Sequence, residues 1–338
     1  MVIPAIGLFL LAPWTAECSW GGFTLPDFPV VVAVLAPLYG GAALLIREVA
    51  RRIGGGWPTI VLLAAAFGLV QAGLVDQSLL NPEFLDDTEF RDLATAAQAT
   101  VIPGLGISAE HLLDYVGNHV ALSVGAPIAL VESMVDPERR HTPWLRRPGL
   151  VIVVLLYLGG SLLIYADTAG RDAYVPSAGQ LAVVAVTVLA LVSAAVAIRR
   201  PPAVRSGQRS PVHPLVVGGL VALAHLAGWP ASGWVGVAIR VVVATAVVAV
   251  VVVWSRRPGW GQPHVLAAWG AGLVVAAGTA YLVPPYAPAP PRLALASDIA
   301  ISVVTATLLA TAAGRLCRQP ASGPAQPRPA DPHQRVAS

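Results

Sequence analysis

Residues 234–254 read Trp-Val-Gly-Val-Ala-Ile-Arg-Val-Val-Val-Ala-Thr-Ala-Val-Val-Ala-Val-Val-Val-Val-Trp. The stretch holds a single charge, Arg240, and has a tryptophan at each end. A helix needs about 20 apolar residues to cross the hydrocarbon of a bilayer, and tryptophan collects at membrane–water interfaces. The segment therefore reads as a transmembrane helix. Comparable apolar runs begin near Phe28, Trp57, Leu113, Gly149, Ala178, Val265 and Leu293. Two shorter ones cover Val2 to Pro13 and Leu215 to Gly228. The expected fold is all-α, a polytopic transmembrane helix bundle of about ten spans.

Composition points the same way. The chain has 338 residues, 56% apolar and 12% charged, with mean hydropathy +0.71. A soluble globular domain carries about 25% charged residues, so there is too little polar surface here to coat a globule in water. Ordinary cytosolic enzymes, secreted disulfide scaffolds and disordered chains are excluded. Cys18 and Cys317, the two cysteines, fall on opposite faces of the expected topology, which leaves no disulfide framework or cysteine metal site.

All 21 basic residues are arginine, and 17 of them lie in 47–52, 139–147, 199–209, 256–257 and 315–335, which are every second connection and the tail. Arg91, Arg171 and Arg292 lie in the alternate connections, and Arg240 lies within a span. Of the 18 acids, 13 fall on or near the opposite side. By the positive-inside rule the arginine clusters are cytoplasmic, and ten spans put both termini inside a cell membrane. In such a chain a formal charge of +3 calls for no nucleic-acid partner. Residues 1–14 lack a basic leader and Glu17 precedes Cys18, so they read as a short first span, or as one shortened by a start codon placed too late, rather than as a signal peptide or lipoprotein site.

The expected organisation is an N-terminal membrane bundle, 1–198, of about six spans, then a cytoplasmic linker, 199–214, with Pro201-Pro202 and four arginines. A C-terminal bundle, 215–317, of about four spans and a disordered Pro/Ala/Gln-rich tail, 318–338, follow. On the outer face lies segment 81–104. There Asn81-Pro82-Glu83 predicts a helix start, and Phe84, Leu85, Phe90 and Leu93 predict a surface amphipathic helix to about Ala99. Small residues let helices approach in lipid. Ala64, Gly68 and Ala72 on the third span are expected to meet Gly117, Ala121 and Gly125 on the fourth.

Ionisable or strongly polar side chains within a span each need a reason, since burying one in lipid costs about 3 kcal/mol or more. The candidates are Gln71 and Asp76 on the third span, Asp114, Tyr115, Asn118 and His119 on the fourth, His225 on the seventh and Arg240 on the eighth. They fall in the outer half of the bilayer. His111, Asp114, Tyr115, Asn118 and His119 share one arc of a helix at about 100° per residue, which predicts a polar, outward-open vestibule. The two histidines with Asp76 or Asp114 are residue types that could hold a ligand, but no His-Glu-x-x-His spacing supports a metal, and none is expected. The plainer alternative is mutual satisfaction across helices, Arg240 with an acid and His119 with Asn118 or Gln71. Arg47-Glu48 and Glu132 stand at inner span ends, where an interhelical ion pair is expected. No phosphate loop or Gly-x-Ser-x-Gly is present, and no cofactor is expected.

Leu11-Ala-Pro-Trp-Thr-Ala-Glu17, Tyr39-Gly-Gly-Ala-Ala-Leu-Leu-Ile-Arg-Glu48 and Phe67-Gly-Leu-Val-Gln-Ala-Gly-Leu-Val-Asp-Gln-Ser-Leu-Leu-Asn-Pro82 resemble an uncharacterised family of actinobacterial polytopic membrane proteins over the first 150 or so residues. That resemblance implies no activity. Tyr115-Val-Gly-Asn-His119 resembles the aromatic-x-x-x-His motif of the CAAX-protease and bacteriocin-processing (Abi-type) intramembrane family. The family's paired glutamates would be sought at Gln71-Ala72, with no arginine following, and His225-Leu-Ala-Gly-Trp229 departs from its third motif. Without a carboxylate at Gln71 a general base is missing unless Asp76 substitutes, so the resemblance implies an inactive member.

Three readings stand. The first is a non-enzymatic membrane protein that binds or moves a small or amphipathic solute or lipid through an outward-facing polar pocket. The second is a relic of an intramembrane hydrolase, and the third is a membrane subunit serving a partner protein.

Overall fold

The computed structural model describes residues 2–198, 212–229 and 231–319. It is 76% helical, with one two-residue-per-strand antiparallel hairpin, β1 (Val101–Ile102) and β2 (Ile107–Ser108). Most of the expected linker 199–214 and the tail beyond 319 lie outside the described residues. The helices are α1 (Val2–Cys18), α2 (Phe28–Arg52), α3 (Trp57–Val75), the short surface helix α4 (Arg91–Ala97) and α5 (109–134). After them come α6 (Arg147–Asp172), α7 (Ala178–Ala197), α8 (Pro214–Leu226), α9 (Gly233–Trp254), α10 (Gln262–Leu282) and α11 (Pro291–Arg318).

Seven of these, α2, α3, α6, α7, α9, α10 and α11, are long and apolar enough to cross a membrane; α1 and α8 are apolar but shorter. Their outer faces show why water is the wrong solvent. Leu155, Leu162, Val186 and Val242 are each more than 60% exposed. Continuous apolar surface of this kind is stable only against lipid or another apolar partner. Burial sorts centre from rim. In its most apolar stretch α3 has 61% of residues buried and α2 has 50%, against 11% in α6 and 17% in α7, α9 and α11.

Helix ends are set locally. Ser177 and Gln180 form a reciprocal capping box at the start of α7, at 3.2 and 2.9 Å. At the start of α5 the Ser108 hydroxyl accepts from the His111 amide at 3.2 Å. Trp57-Pro58 opens α3, where the missing proline N–H costs nothing.

Contacts then collect the helix ends into two groups. At one end Arg47 and Arg51 of α2 meet Glu132 of α5, and Arg52 reaches the Leu145 carbonyl just before α6. Gln262 at the start of α10 bonds Ser133 of α5, His264 lies on the Val212 carbonyl before α8, and Arg140 reaches Gln319 after α11. At the other end Arg240 of α9 meets Asp114 of α5, and the Leu25 amide donates to Ser297 of α11. There too the Tyr286 amide donates to the Gly22 carbonyl. Neighbouring long helices thus alternate in direction, with an arginine-rich end and an acidic end. The C-terminal helices α10 and α11 pack directly on α5.

Two sequence expectations need correction. Residues 82–90 are turns, and helix begins only at Arg91. Asn81 turns the chain by accepting from the Glu83 amide, Thr88 bonds the Leu85 carbonyl and the Phe90 amide, and Phe90 is drawn into an aromatic cluster. The small-residue faces of α3 and α5 do not meet each other. Gly68 lies on Val116 and His119, so α5 meets α3 with the residues beside Gly117, which itself has open space around it; Gly125, at the end of the π-helical turn His119–Gly125, lies on the Trp269 ring. Trp144, in the loop before α6, is buried under the Arg47 guanidinium, 3.2 Å from the ring centroid.

Candidate functional site

Four π-helical turns interrupt the central helices: Trp14–Cys18 in α1, Ala36–Gly40 in α2, Gln71–Val75 in α3 and His119–Gly125 in α5. A π-turn inserts one residue into the α-helical repeat and frequently marks a functional position. Prolines account for three of them. Pro13 precedes the first, Pro37 lies within the second, and Pro127 follows the last by two residues. Each lacks the N–H that an unbroken helix would use. Every one of the four turns carries a polar side chain toward the same region: Glu17, Tyr39, Gln71 and His119.

The region is built from short, direct bonds. The Tyr39 hydroxyl donates to Glu17 Oε1 at 2.5 Å. Gln71 Nε2 donates to Asp76 Oδ2 at 3.1 Å, and the Ser78 amide donates to Asp76 Oδ1 at 2.9 Å. Asp76 lies within electrostatic range of Glu17, Tyr39, Tyr115 and Tyr286. His119 stands behind Tyr39, with ring centroids 5.8 Å apart, and 5.4 Å from Phe67; its Nδ1 pairs with the Ser123 hydroxyl at 3.1 Å. Gln71, Tyr39, Phe67, His119 and Ser123 are buried, whereas Glu17 and Asp76 keep some exposed surface. The carbonyl oxygen of Gln71 has no hydrogen-bond partner.

An aromatic rim closes the acidic end. Trp20, Phe90 and Tyr286 touch edge to face with centroids 5.2–5.9 Å apart, and Phe23 joins Tyr286 at 5.3 Å. The loop after α10 that carries Tyr286 is tied down by its amide bond to Gly22 at 2.8 Å and by the Glu89 amide at 3.2 Å. Burial, and after it Glu17, Tyr115 and Asp76, push the Tyr286 phenol well above its ordinary range, which keeps it a proton donor. A separate groove of about 240 Å³, lined by Leu45, Ile46, Leu63, Phe67, Val188 and Val192 among other apolar residues, opens between α2, α3 and α7. It shares only Phe67 with the polar cluster.

The residues expected from sequence divide into three sets. Gln71, Asp76 and His119 belong to the polar cluster, and Tyr115 stands within electrostatic range of Asp76. Asp114 and Arg240 form an ion pair with each other, partly exposed at the edge of the bundle. His225 is exposed on α8 with its ring edge on Gly272 of α10, and Asn118 is exposed on α5; neither reaches the crevice. His119 bonds Ser123, not Asn118 or Gln71, because Ser123 stands one turn along its own helix. Glu17, Tyr39 and Tyr286 are site residues that the sequence reading missed. Among the described residues no group of three or more His, Cys, Asp or Glu side chains is arranged to hold a metal ion.

The cluster presents carboxylate, amide and phenol groups beside the aromatic rim. Comparison with protein-family models, with curated proteins and with solved structures returns no match.

Proposed function

We propose that the chain is a ten-span integral protein of the cell membrane, with its arginine-rich end and both termini in the cytoplasm. On this reading α1, α5 and α8 cross together with the seven long apolar helices. In the same reading it binds a small solute in the crevice at the acidic, outward end, and acts as a carrier or solute receptor rather than an enzyme. The observation that carries this is the convergence of four π-turns on one buried polar cluster. Intramembrane polar groups are costly and are kept where a solute or ion passes. Four local departures from α-helix that all face one place are the backbone counterpart of that rule.

A second reading has one observation in its favour. Asp76 is bonded to Gln71, so a carboxylate does sit beside the position where the Abi-type pattern would have its glutamates. Against it, His119 turns to Ser123 and not to Asp76. Metal content and peptide cleavage of the purified protein test that alternative.

The solute-binding reading is tested in proteoliposomes with a panel of radiolabelled small solutes. Tyr39→Phe, Asp76→Asn and His119→Ala are expected to lower saturable uptake or binding at least about tenfold, equivalent to about 1.4 kcal/mol. Arg240→Ala, whose ion pair lies at the edge, is expected to leave it near wild type. Equal activity in all four variants would remove the crevice from the function.

A further inference from the structure

We infer that the solute bound at this polar cluster is a small organic cation bearing N–H groups, of the amine or guanidinium class. The inference rests on the solute-binding reading and adds the ligand's charge and donor chemistry. Its starting point is a charge imbalance. Glu48 and Glu132 are met by Arg47, Arg51 and Arg52, and Asp114 is met by Arg240. Glu17 and Asp76 share one region and have no arginine or histidine within ion-pair distance among the described residues; their hydrogen-bond partners are Tyr39, Gln71 and Ser78. Two carboxyl groups in a poorly hydrated site cannot both stay ionised unless a positive charge joins them; otherwise one keeps its proton.

The second observation is independent of charge. Gln71 is 1% exposed, its amide nitrogen is on Asp76, and its carbonyl oxygen is left without a donor. A buried acceptor without a partner costs about 1–3 kcal/mol, and a ligand N–H removes that cost. Glu17, Asp76 and Gln71 therefore present acceptors and ask for donors. Aromatic rings stand nearby, Tyr39 bonded to Glu17 and Trp20 against Tyr286, and aromatic surroundings favour an ammonium or guanidinium over an anionic solute.

The test follows thermal unfolding of the full chain in detergent micelles by its tryptophan fluorescence. The probes are guanidinium and methylammonium chloride, with urea and sodium chloride at matched millimolar concentrations. Guanidinium and urea have nearly the same planar shape and differ in charge. Saturable stabilisation by guanidinium or methylammonium is expected, with none from urea or sodium. The apparent affinity should fall at least about tenfold in Glu17→Gln, Asp76→Asn or Gln71→Leu. The comparison of probes on the wild type stands even where a variant folds poorly. An equal response to sodium would mean an alkali-metal site and would overturn the organic-cation inference. A response to urea equal to that of guanidinium would also overturn it, while leaving the solute-binding reading intact. No saturable response to either organic cation defeats the inference, and the uptake panel then decides the broader reading separately.

Discussion

Arg47 has no exposed surface, yet each arm of its guanidinium is used. Nε donates to Glu132 Oε1 at 3.0 Å, Nη1 to Glu48 Oε1 at 3.2 Å, and Nη2 to the Arg140 and Thr142 carbonyls at 2.7 and 3.2 Å. Glu132 also takes Arg51, and Glu48 takes the Trp144 and Leu145 amides. Buried ion pairs recover their desolvation cost only when the remaining donors and acceptors are satisfied, and here they are. The network thus clamps the arginine-rich ends of α2 and α5 to the loop before α6. Removing one partner is the damaging change. Glu132→Gln leaves two buried guanidinium groups short of charge and is expected to lower unfolding stability by about 3–5 kcal/mol. Asp114→Asn breaks a pair whose side chains are 28% and 42% exposed, for an expected cost of about 0–1 kcal/mol. Denaturant unfolding in mixed micelles, read by tryptophan fluorescence, compares them; similar losses would show that Glu132 is not the keystone of the clamp.

Among the elements, the close approach of α1 to α2 depends on Gly40, the last residue of a π-turn. A Cβ there would lie 2.1 Å from the Phe9 carbonyl oxygen and 2.8 Å from its carbon, which are backbone atoms that no rotamer change can move. Gly40→Ala must therefore push α1 away and strain the Tyr39–Glu17 bond beside it. Overpacking costs about 1–3 kcal/mol, and the backbone clash puts this variant at the upper end. Gly117→Ala, which meets nothing within 4 Å, is expected to leave stability unchanged or raised by up to about 1 kcal/mol. Unfolding midpoints of the two variants in one detergent check the contrast, and equal midpoints would refute it. The same turns explain what was legible in the sequence. Gln71 and His119 stand out because each is polar within an apolar run, and Arg240, named in the same set of candidates, is paired with Asp114. Tyr39 passed as one more aromatic residue in a span, and Glu17 as one more acid beyond a short helix. Tyr286 lies in a loop whose place against Gly22 and Phe90 is set by long-range packing. A wheel of 3.6 residues per turn also loses its phase by about 100° at each inserted residue, and a stripe of small residues does not say which neighbour it meets: Gly125 lies on Trp269 of α10 and Gly117 on nothing. Pro13, Pro37 and Pro127 were the available signal: proline inside an apolar helix marks where backbone bonding changes.

At the scale of the molecule, the alternation of arginine-rich and acid-rich connections agrees with the alternation of helix direction, and the reason is electrostatic and steric at once. Each helix end must leave the hydrocarbon where its flanking charges are hydrated. Cationic ends therefore gather on one side, and there the bundle can also pair them, as Arg47, Arg51 and Arg52 are paired with Glu48 and Glu132. Which side faces the cytoplasm is a separate matter, and the native cysteines give access to it. Cys317 is exposed in the last turn of α11 between Arg315 and Arg318, at the arginine-rich end, whereas Cys18 is buried near the acidic end. A membrane-impermeant maleimide is expected to modify Cys317 in inverted vesicles and not in intact cells. In a Cys317→Ser background, Asp87→Cys on the exposed turn at the acidic end is expected to react in intact cells. The pair of labels is stricter than either alone. Labelling of both sites from one side would break the alternation itself. Exchange of the two sides would keep the bundle, turn the polar crevice toward the cytoplasm, and make its solute an intracellular one.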